Sequence, residues 1–163
     1  MNKIIPLLQE MISYYTGDPK RIQHFIKVHS FACLIGAAEH LSEPELFTLE
    51  TASIVHDIGI KEAERKYGKC TGKLQEQEGP ALACEMLHNL GFEDKLIERV
   101  CYLVGHHHTY NNIDGRDYQI LVEADFLVNL YEDHSSKDTA QNVCNNIFKT
   151  ETGRQICIDM FSL

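Results

Sequence analysis

LETASIVHDIG, residues 49–59, is the stretch on which the reading of this chain turns. Leu49, Ala52, Ile54 and Val55 recur at helical spacing, so an apolar helix is predicted to run to His56. Gly59 then lets the chain turn. An adjacent imidazole and carboxylate, His56-Asp57, can bend toward one centre if the helix is ending there. That pair alone carries little information, and its weight comes from what lies on either side.

Upstream, Ser42-Glu43-Pro44-Glu45 is a capping box with proline close to the start, which launches this helix. Asp18-Pro19 is an N-cap followed by an N1 proline. It opens an earlier helix predicted to run to about Leu41, with Ile22, Phe25, Val28, Phe31, Ala32 and Ile35 on its inner side. A first helix is expected over about residues 2–15, stopping at Thr16-Gly17. Downstream, KYGKCTGKL (66–74) reads as a loop. Helices follow from about Glu76 to Asn89, closed by Gly91, and from Glu93 to about Gly105. NNIDGRD (111–117) is a second loop, and helix returns over Tyr118–Tyr131. One or two shorter helices follow His134, with Gly153 a candidate break in the last. No segment shows a clear strand alternation. The expected fold is all-α: a single domain over residues 1–163, a bundle of about six to eight helices. Its motif-bearing core spans about 18–130, with C-terminal helices over 135–163.

Composition narrows the function. The chain has 163 residues, a formal net charge of −9 and 44% hydrophobic residues. An acidic chain with no Lys/Arg run argues against nucleic acid, whose binding is dominated by cationic contacts to phosphate. A small phosphorylated substrate stays open, because a divalent ion reverses the local field in a pocket. The start lacks a signal-peptide pattern and no run reaches the length of a membrane span, so a soluble cytoplasmic protein is expected, with no membrane partner. Six cysteines without a C-x-x-C pair read as small apolar residues of a reducing compartment. The sequence leaves a homodimer open.

Three further helices put His or Asp where periodicity calls for an apolar residue. Asp125 has Leu121, Val122 and Val128 as its helix-face neighbours, so its carboxylate points with the core. Burying it unpaired costs several kcal/mol, so a cation or good donors should meet it. The ordinary alternative is a salt bridge or a helix cap. His24 shares a stripe with Val28, Phe31 and Ile35, and its alternative is a core histidine bonded to a carbonyl. In VCYLVGHHHTY, counting from Val100 lands on Leu103, Val104, His107 and His108, while His106 falls off that face. His107 first, then His108, are the inward candidates. Four helices aiming ligand types inward point to a metal site. Imidazole with carboxylate suits Mn, Fe, Zn and similar ions, and an all-oxygen set would suit Mg or Ca.

The order His…His-Asp…Asp in an all-helical chain resembles the HD superfamily of metal-dependent phosphohydrolases. The carrying residues are His24 in RIQHFIKVHSFA, His56-Asp57 in IVHDIG and Asp125 in LVEADFLV, and the resemblance runs over about 18–130. It implies that His24, His56, Asp57 and Asp125 hold one divalent ion of the Mn, Fe, Mg or Zn kind, with two ions as the alternative. Two-metal members typically add a histidine before the next helix and a histidine pair after it. His107 and His108 match the pair, but before Gly79 the chain reads Gln75-Glu76-Gln77-Glu78. Either Glu76 or Glu78 substitutes as ligand, with Glu76 also a candidate general base, or the site holds one ion. Lys61 lies one position later than the lysine of the HDIGK form of the motif. Lys61, Arg21, Lys73 and Lys69 are the candidate phosphate contacts. His29, His40, His88 and His134 read as ordinary surface or core histidines.

The function this implies is hydrolysis of a phosphate ester or anhydride in a nucleotide or other small phosphorylated metabolite, by metal-activated water. Asp57 or Glu76 would orient the water or accept its proton. His107 or His108 would bind phosphate or protonate the leaving oxygen. The competing classes are a di-iron oxygenase of the same superfamily, which needs a full ligand set, and a catalytically silent nucleotide-binding module.

Overall fold

Capping side chains and glycine turns set where the helices of this chain begin and end. A computed structural model describes residues 3–163. Among them lie nine helices: α1 (Ile4–Tyr14), α2 (Pro19–Ala38), α3 (Glu43–Val55), α4 (Ile60–Tyr67), α5 (Gly72–Asn89), α6 (Asp94–Val104), α7 (Arg116–Glu132), α8 (Lys137–Asn146) and α9 (Glu151–Phe161). No strand occurs among the described residues. Residue 2, where the periodicity starts the first helix, lies outside them. Asp18 accepts from the Arg21 N–H at the head of α2, and Ser42 and Glu45 form the expected capping box at α3.

Two departures from the sequence reading have clear causes. The stretch 66–74 is mostly helical, because α4 and α5 leave only a short connection at 68–71. α4 has eight residues and only Ala63 is buried, so Ile60, Ala63 and Tyr67 at i, i+3 and i+7 make too brief a stripe to announce it. Its polar surface carries the pair Glu62–Arg65, and Gly68 closes it at φ 67°. Gly153 does not break α9 but lies in its first turn, with its N–H on the Thr150 hydroxyl that caps the helix. A side chain there would collide with the Glu123 carboxylate. The actual break falls at 147–150.

α3 and α7 form the centre. Leu49 and every residue from Thr51 to Val55 are buried in α3, as are eleven residues of α7, so both helices are covered on nearly all sides. The buried hydroxyls of α3 are satisfied locally. Thr51 and Ser53 donate to the Phe47 and Glu50 carbonyls (2.8 and 2.7 Å). α2 packs along both central helices, α6 lies against α3, and α5 lies against α4 and α6.

Two contacts bring other elements up to the end of α3. Tyr15 and Tyr14 of the N-terminal segment donate to the carbonyls of Asp57 and Ile58 (2.7 and 3.2 Å), pinning the turn that follows His56. On its other side that turn meets α5 backbone to backbone. A Cβ on Gly59 would stand 2.7 Å from the Gln75 carbonyl oxygen and 2.8 Å from the Gly79 nitrogen. Glycine at 59 is therefore what allows Gln75 to lie beside His56-Asp57.

Glu123 ties α9 to α7. Its buried carboxylate accepts from the N–H groups of Lys149 and Thr150, the Thr150 hydroxyl and the Gln119 amide. Glu123→Ala leaves those donors unpaired and should cost about 2–3 kcal/mol. Thermal unfolding followed by circular dichroism should then show a midpoint lower by about 5–10 °C.

Candidate metal centre

His24 comes from α2, His56 and Asp57 from the turn that ends α3, and Asp125 from the middle of α7. Their side chains meet at one point. His24 Nε2 lies 3.2 Å from His56 Nε2, from Asp57 Oδ2 and from Asp125 Oδ1. His56 Nε2 lies 3.4 Å from Asp57 Oδ2 and 3.5 Å from Asp125 Oδ1. His24, His56 and Asp125 are buried, and Asp57 is partly open.

Each imidazole is fixed through its other nitrogen. His56 Nδ1 is 2.7 Å from the Ser53 carbonyl, which can only accept, so the ring proton sits on Nδ1 and Nε2 carries a lone pair. His107 repeats this on the Val104 carbonyl at 2.8 Å, and His24 Nδ1 faces Glu132 Oε2 at 3.3 Å. The atoms that converge are therefore ring lone pairs and carboxylate oxygens, all acceptors. Held this close they repel one another unless a cation or extra protons lie among them. Donor atoms sharing one divalent ion at ordinary N and O bond lengths stand about 3.0–3.5 Å apart. His24, His56 and Asp125 fit such an ion in both chemistry and spacing, and Asp57 Oδ2 lies at the same spacing from the two histidines.

Electrostatics tell the same story. Burial opposes charging of His24, but its hydrogen bonds to Asp125 and Asp57 outweigh that and raise its pKa to about 9. At His56 burial is again outweighed, chiefly by the charge of Asp57 and the bond to Asp125, and the pKa rises. For Asp57 and Asp125 burial favours the neutral acid, yet the surrounding histidines hold both carboxyls well below the usual range. This pocket attracts positive charge.

Asp57 faces two ways. Oδ2 points at His24 and His56, and Oδ1 lies 3.3 Å from His107 Nε2. Ligand atoms of Asp57, His107 and His108 form a second group, all within 4.8 Å of one another. Burial and the neighbouring His107 lower the pKa of His108 to about 4, so it is neutral near pH 7. Its Nε2 is 2.8 Å from Gln75 Oε1. His106 turns away, stacking on Tyr102 at 4.0 Å.

Glu76 and Glu78 have other work. Glu76 accepts from the His108 N–H (3.1 Å) and the Thr109 hydroxyl (3.0 Å), anchoring the loop that carries the histidines. Glu78 pairs with Lys66 and accepts from Tyr67. Neither joins a potential ligand group among the described residues. The side chain that reaches His108 is Gln75.

A cavity of about 730 Å³ opens on the cluster, with His24, Asp57, Gln75, His108 and Asp125 in its wall. Of the expected phosphate contacts it includes Arg21 alone, which is paired with Asp18 (2.9 Å) and Glu64 (2.5 Å). Lys61 is corrected by the structure. Because α4 begins at residue 60, Ile60 faces the cavity and Lys61 rotates toward α1, donating to the Tyr14 carbonyl at 3.1 Å. Lys73 stands exposed in the first turn of α5, and Lys69 is exposed on the connection before it; neither lines the cavity. Lys20 does.

An all-helical domain with a buried His/Asp cluster at the foot of a polar cavity is the arrangement of a metal-binding enzyme core. The sequence profile of the HD domain family matches residues 21–148, and the chain belongs to that family. A solved crystal structure, that of a predicted HD superfamily hydrolase from an uncultured Thermotogales bacterium, superposes with a TM-score of 0.67 at 25% identity. The match covers 98% of this chain and 83% of that one. A comparison with curated proteins returns no match.

Of three residues that support the cluster, sequence reasoning missed Asn129 and Glu132 and named Gln75 only beside the favoured Glu76. Asn129 donates to Asp125 Oδ1 at 3.0 Å, Glu132 holds His24, and Gln75 meets His108. Asn129 and Glu132 follow Asp125 at i+4 and i+7, a spacing that places them on the same helix face. Glu132→Ala frees the His24 ring, and divalent-metal affinity measured by calorimetry should fall about 10- to 100-fold. The raised His24 pKa also fixes a pH dependence. Metal must displace a proton from His24 at neutral pH, so apparent affinity should climb as pH rises from 6.5 to about 9. Titrations at pH 7 in buffers of different ionisation enthalpy should report proton release.

Proposed function

We propose that this HD-domain protein is a metal-dependent hydrolase of a phosphate ester or anhydride bond in a small phosphorylated metabolite, with a nucleotide as the preferred substrate. The observation that carries the reading is the convergence of ring nitrogens and carboxylate oxygens at the foot of a cavity of about 730 Å³. That size accommodates a metabolite rather than a polymer. His24, His56, Asp57 and Asp125 would hold the ion, and bound there it would acidify a water and offset charge on the phosphoryl oxygens.

The chain's own groups supply the rest. Asp57 Oδ1, turned from His24 and His56, is placed to orient the attacking water and accept its proton. His108, neutral at pH 7, carries its proton toward Gln75 Oε1 and can redirect that N–H to a phosphoryl oxygen. Lys20 and Arg21 are the cations in the wall, and a phosphate would compete with Glu64 for Arg21. The Asp57 carboxylate, with Oδ2 against His24 and His56 and Oδ1 against His107, favours a two-ion form of the same reading.

The test is a hydrolysis screen over nucleotides and small phosphoesters, with Mn, Mg, Zn and Fe added in turn. At least one substrate should be turned over in a metal-dependent way. His56→Ala/Asp57→Ala should lose bound metal and reduce that turnover at least about 100-fold. Unchanged turnover in the double variant overturns the reading. So does a mixed-valent di-iron signature in the optical spectrum of aerobically purified protein, which belongs to the oxygenase branch.

A further inference from the structure

Away from the HD cluster, α2 and α3 bring together a second set of ligand types. His29 and Cys33 are four residues apart on α2, on one helix face, and Glu50 projects from α3 against them. Cys33 Sγ lies 3.3 Å from His29 Nε2 and 3.2 Å from Glu50 Oε1. His29 is five residues beyond His24, about 140° around the helix, so this group faces away from the HD cluster.

We propose that His29, Cys33 and Glu50 form a second divalent-metal site, selective for a borderline-soft ion of the zinc or cobalt class. Three features point to it. The donor set joins thiolate, imidazole and carboxylate, a mixture that suits zinc and excludes the all-oxygen preference of magnesium and calcium. The charges match, since one thiolate and one carboxylate neutralise a dication on a half-buried face. Glu50 otherwise lacks a cation: among the described residues no lysine or arginine pairs with its carboxylate, whose partner is the Cys33 thiol.

Spacing agrees after a small adjustment. Donors on one tetrahedral zinc with a sulfur ligand stand about 3.6 Å apart, so each contact opens by a few tenths of an ångström. Binding replaces the Cys33 S–H with a sulfur–metal bond and releases one proton to solvent. Burial and the bond to Glu50 push the thiol pKa up to about 12, so a bound metal has that proton to displace. Burial lowers the His29 pKa, which favours the neutral ring with a lone pair. Three protein ligands on a half-buried face leave a fourth position for water. The ion would clamp α2 to α3, the helices that carry His24 and lead into His56.

Cobalt(II) reports this site directly, because the HD ligands contain no sulfur. Titrated into the reduced protein, it should produce a thiolate-to-cobalt charge-transfer band whose final intensity corresponds to one thiolate-bound ion per chain, beyond the cobalt taken up by the HD ligands. Cys33→Ser should abolish that band with helicity unchanged, while His29→Gln and Glu50→Gln should weaken the ion's affinity at least tenfold. The band should persist in His56→Ala/Asp57→Ala, which separates this site from the catalytic reading. No band in the wild-type protein overturns the proposal. A band that survives Cys33→Ser does so too, since the thiolate then belongs elsewhere, for instance to Cys70 in the wall of the HD cavity. Should Cys33→Ser fail to fold, unchanged cobalt affinity in both the His29 and Glu50 variants overturns it equally.

Discussion

Six acceptor atoms from four chain segments, held within contact distance of one another, are the constraint on which this structure depends. Ring lone pairs of His24, His56 and His107 face the carboxylates of Asp57 and Asp125 at 3.2–3.5 Å. Such a set is unstable unless positive charge sits in it. Much of the surrounding design keeps these atoms from relaxing apart. Each ring is anchored through Nδ1 to a carbonyl or carboxylate, Asn129 fixes Asp125, and two tyrosines hold the backbone of the turn that carries Asp57.

Helix packing supplies the rigid frame for that arrangement. α3 and α7 are buried on nearly every side, so His56 and Asp125 sit on elements that cannot rotate without opening the core. α2 lies along both and delivers His24. α5 reaches the cluster because Gly59 lets two backbones touch, and this contact puts Gln75 where a histidine of a full two-metal set would be sought. The metal chemistry and the fold thus meet at one short turn, residues 56–59.

A histidine's role here follows from what holds its second nitrogen. His107 and His108 are sequence neighbours, yet the first is anchored by a carbonyl with its lone pair toward Asp57, and the second is a neutral donor toward Gln75. His106, one residue earlier, stacks on Tyr102 and leaves the site. His29 sits on the same helix as His24 but faces a thiol and a different carboxylate. Identical side chains thereby serve as ligand, hydrogen-bond donor, surface ring and member of a second cluster.

The sequence by itself marked most of the helices, the caps at Asp18 and Ser42, and the four residues His24, His56, Asp57 and Asp125 that the fold brings together. Helical periodicity is local, and a His or Asp that interrupts an apolar stripe is visible without knowing what it meets, as at His24 and Asp125. It did not reveal α4, an eight-residue helix with a single buried residue, nor the fate of the charged residues. Lys61 was displaced to α1 by a single helical rotation, and Glu76 was taken up by the His108 loop. Partner choice for an exposed or flexible side chain depends on which other helix arrives beside it. Only the tertiary structure decided that, because Gln75, Glu132 and Glu50 gain their roles from residues 33, 108 and 17 positions away along the chain.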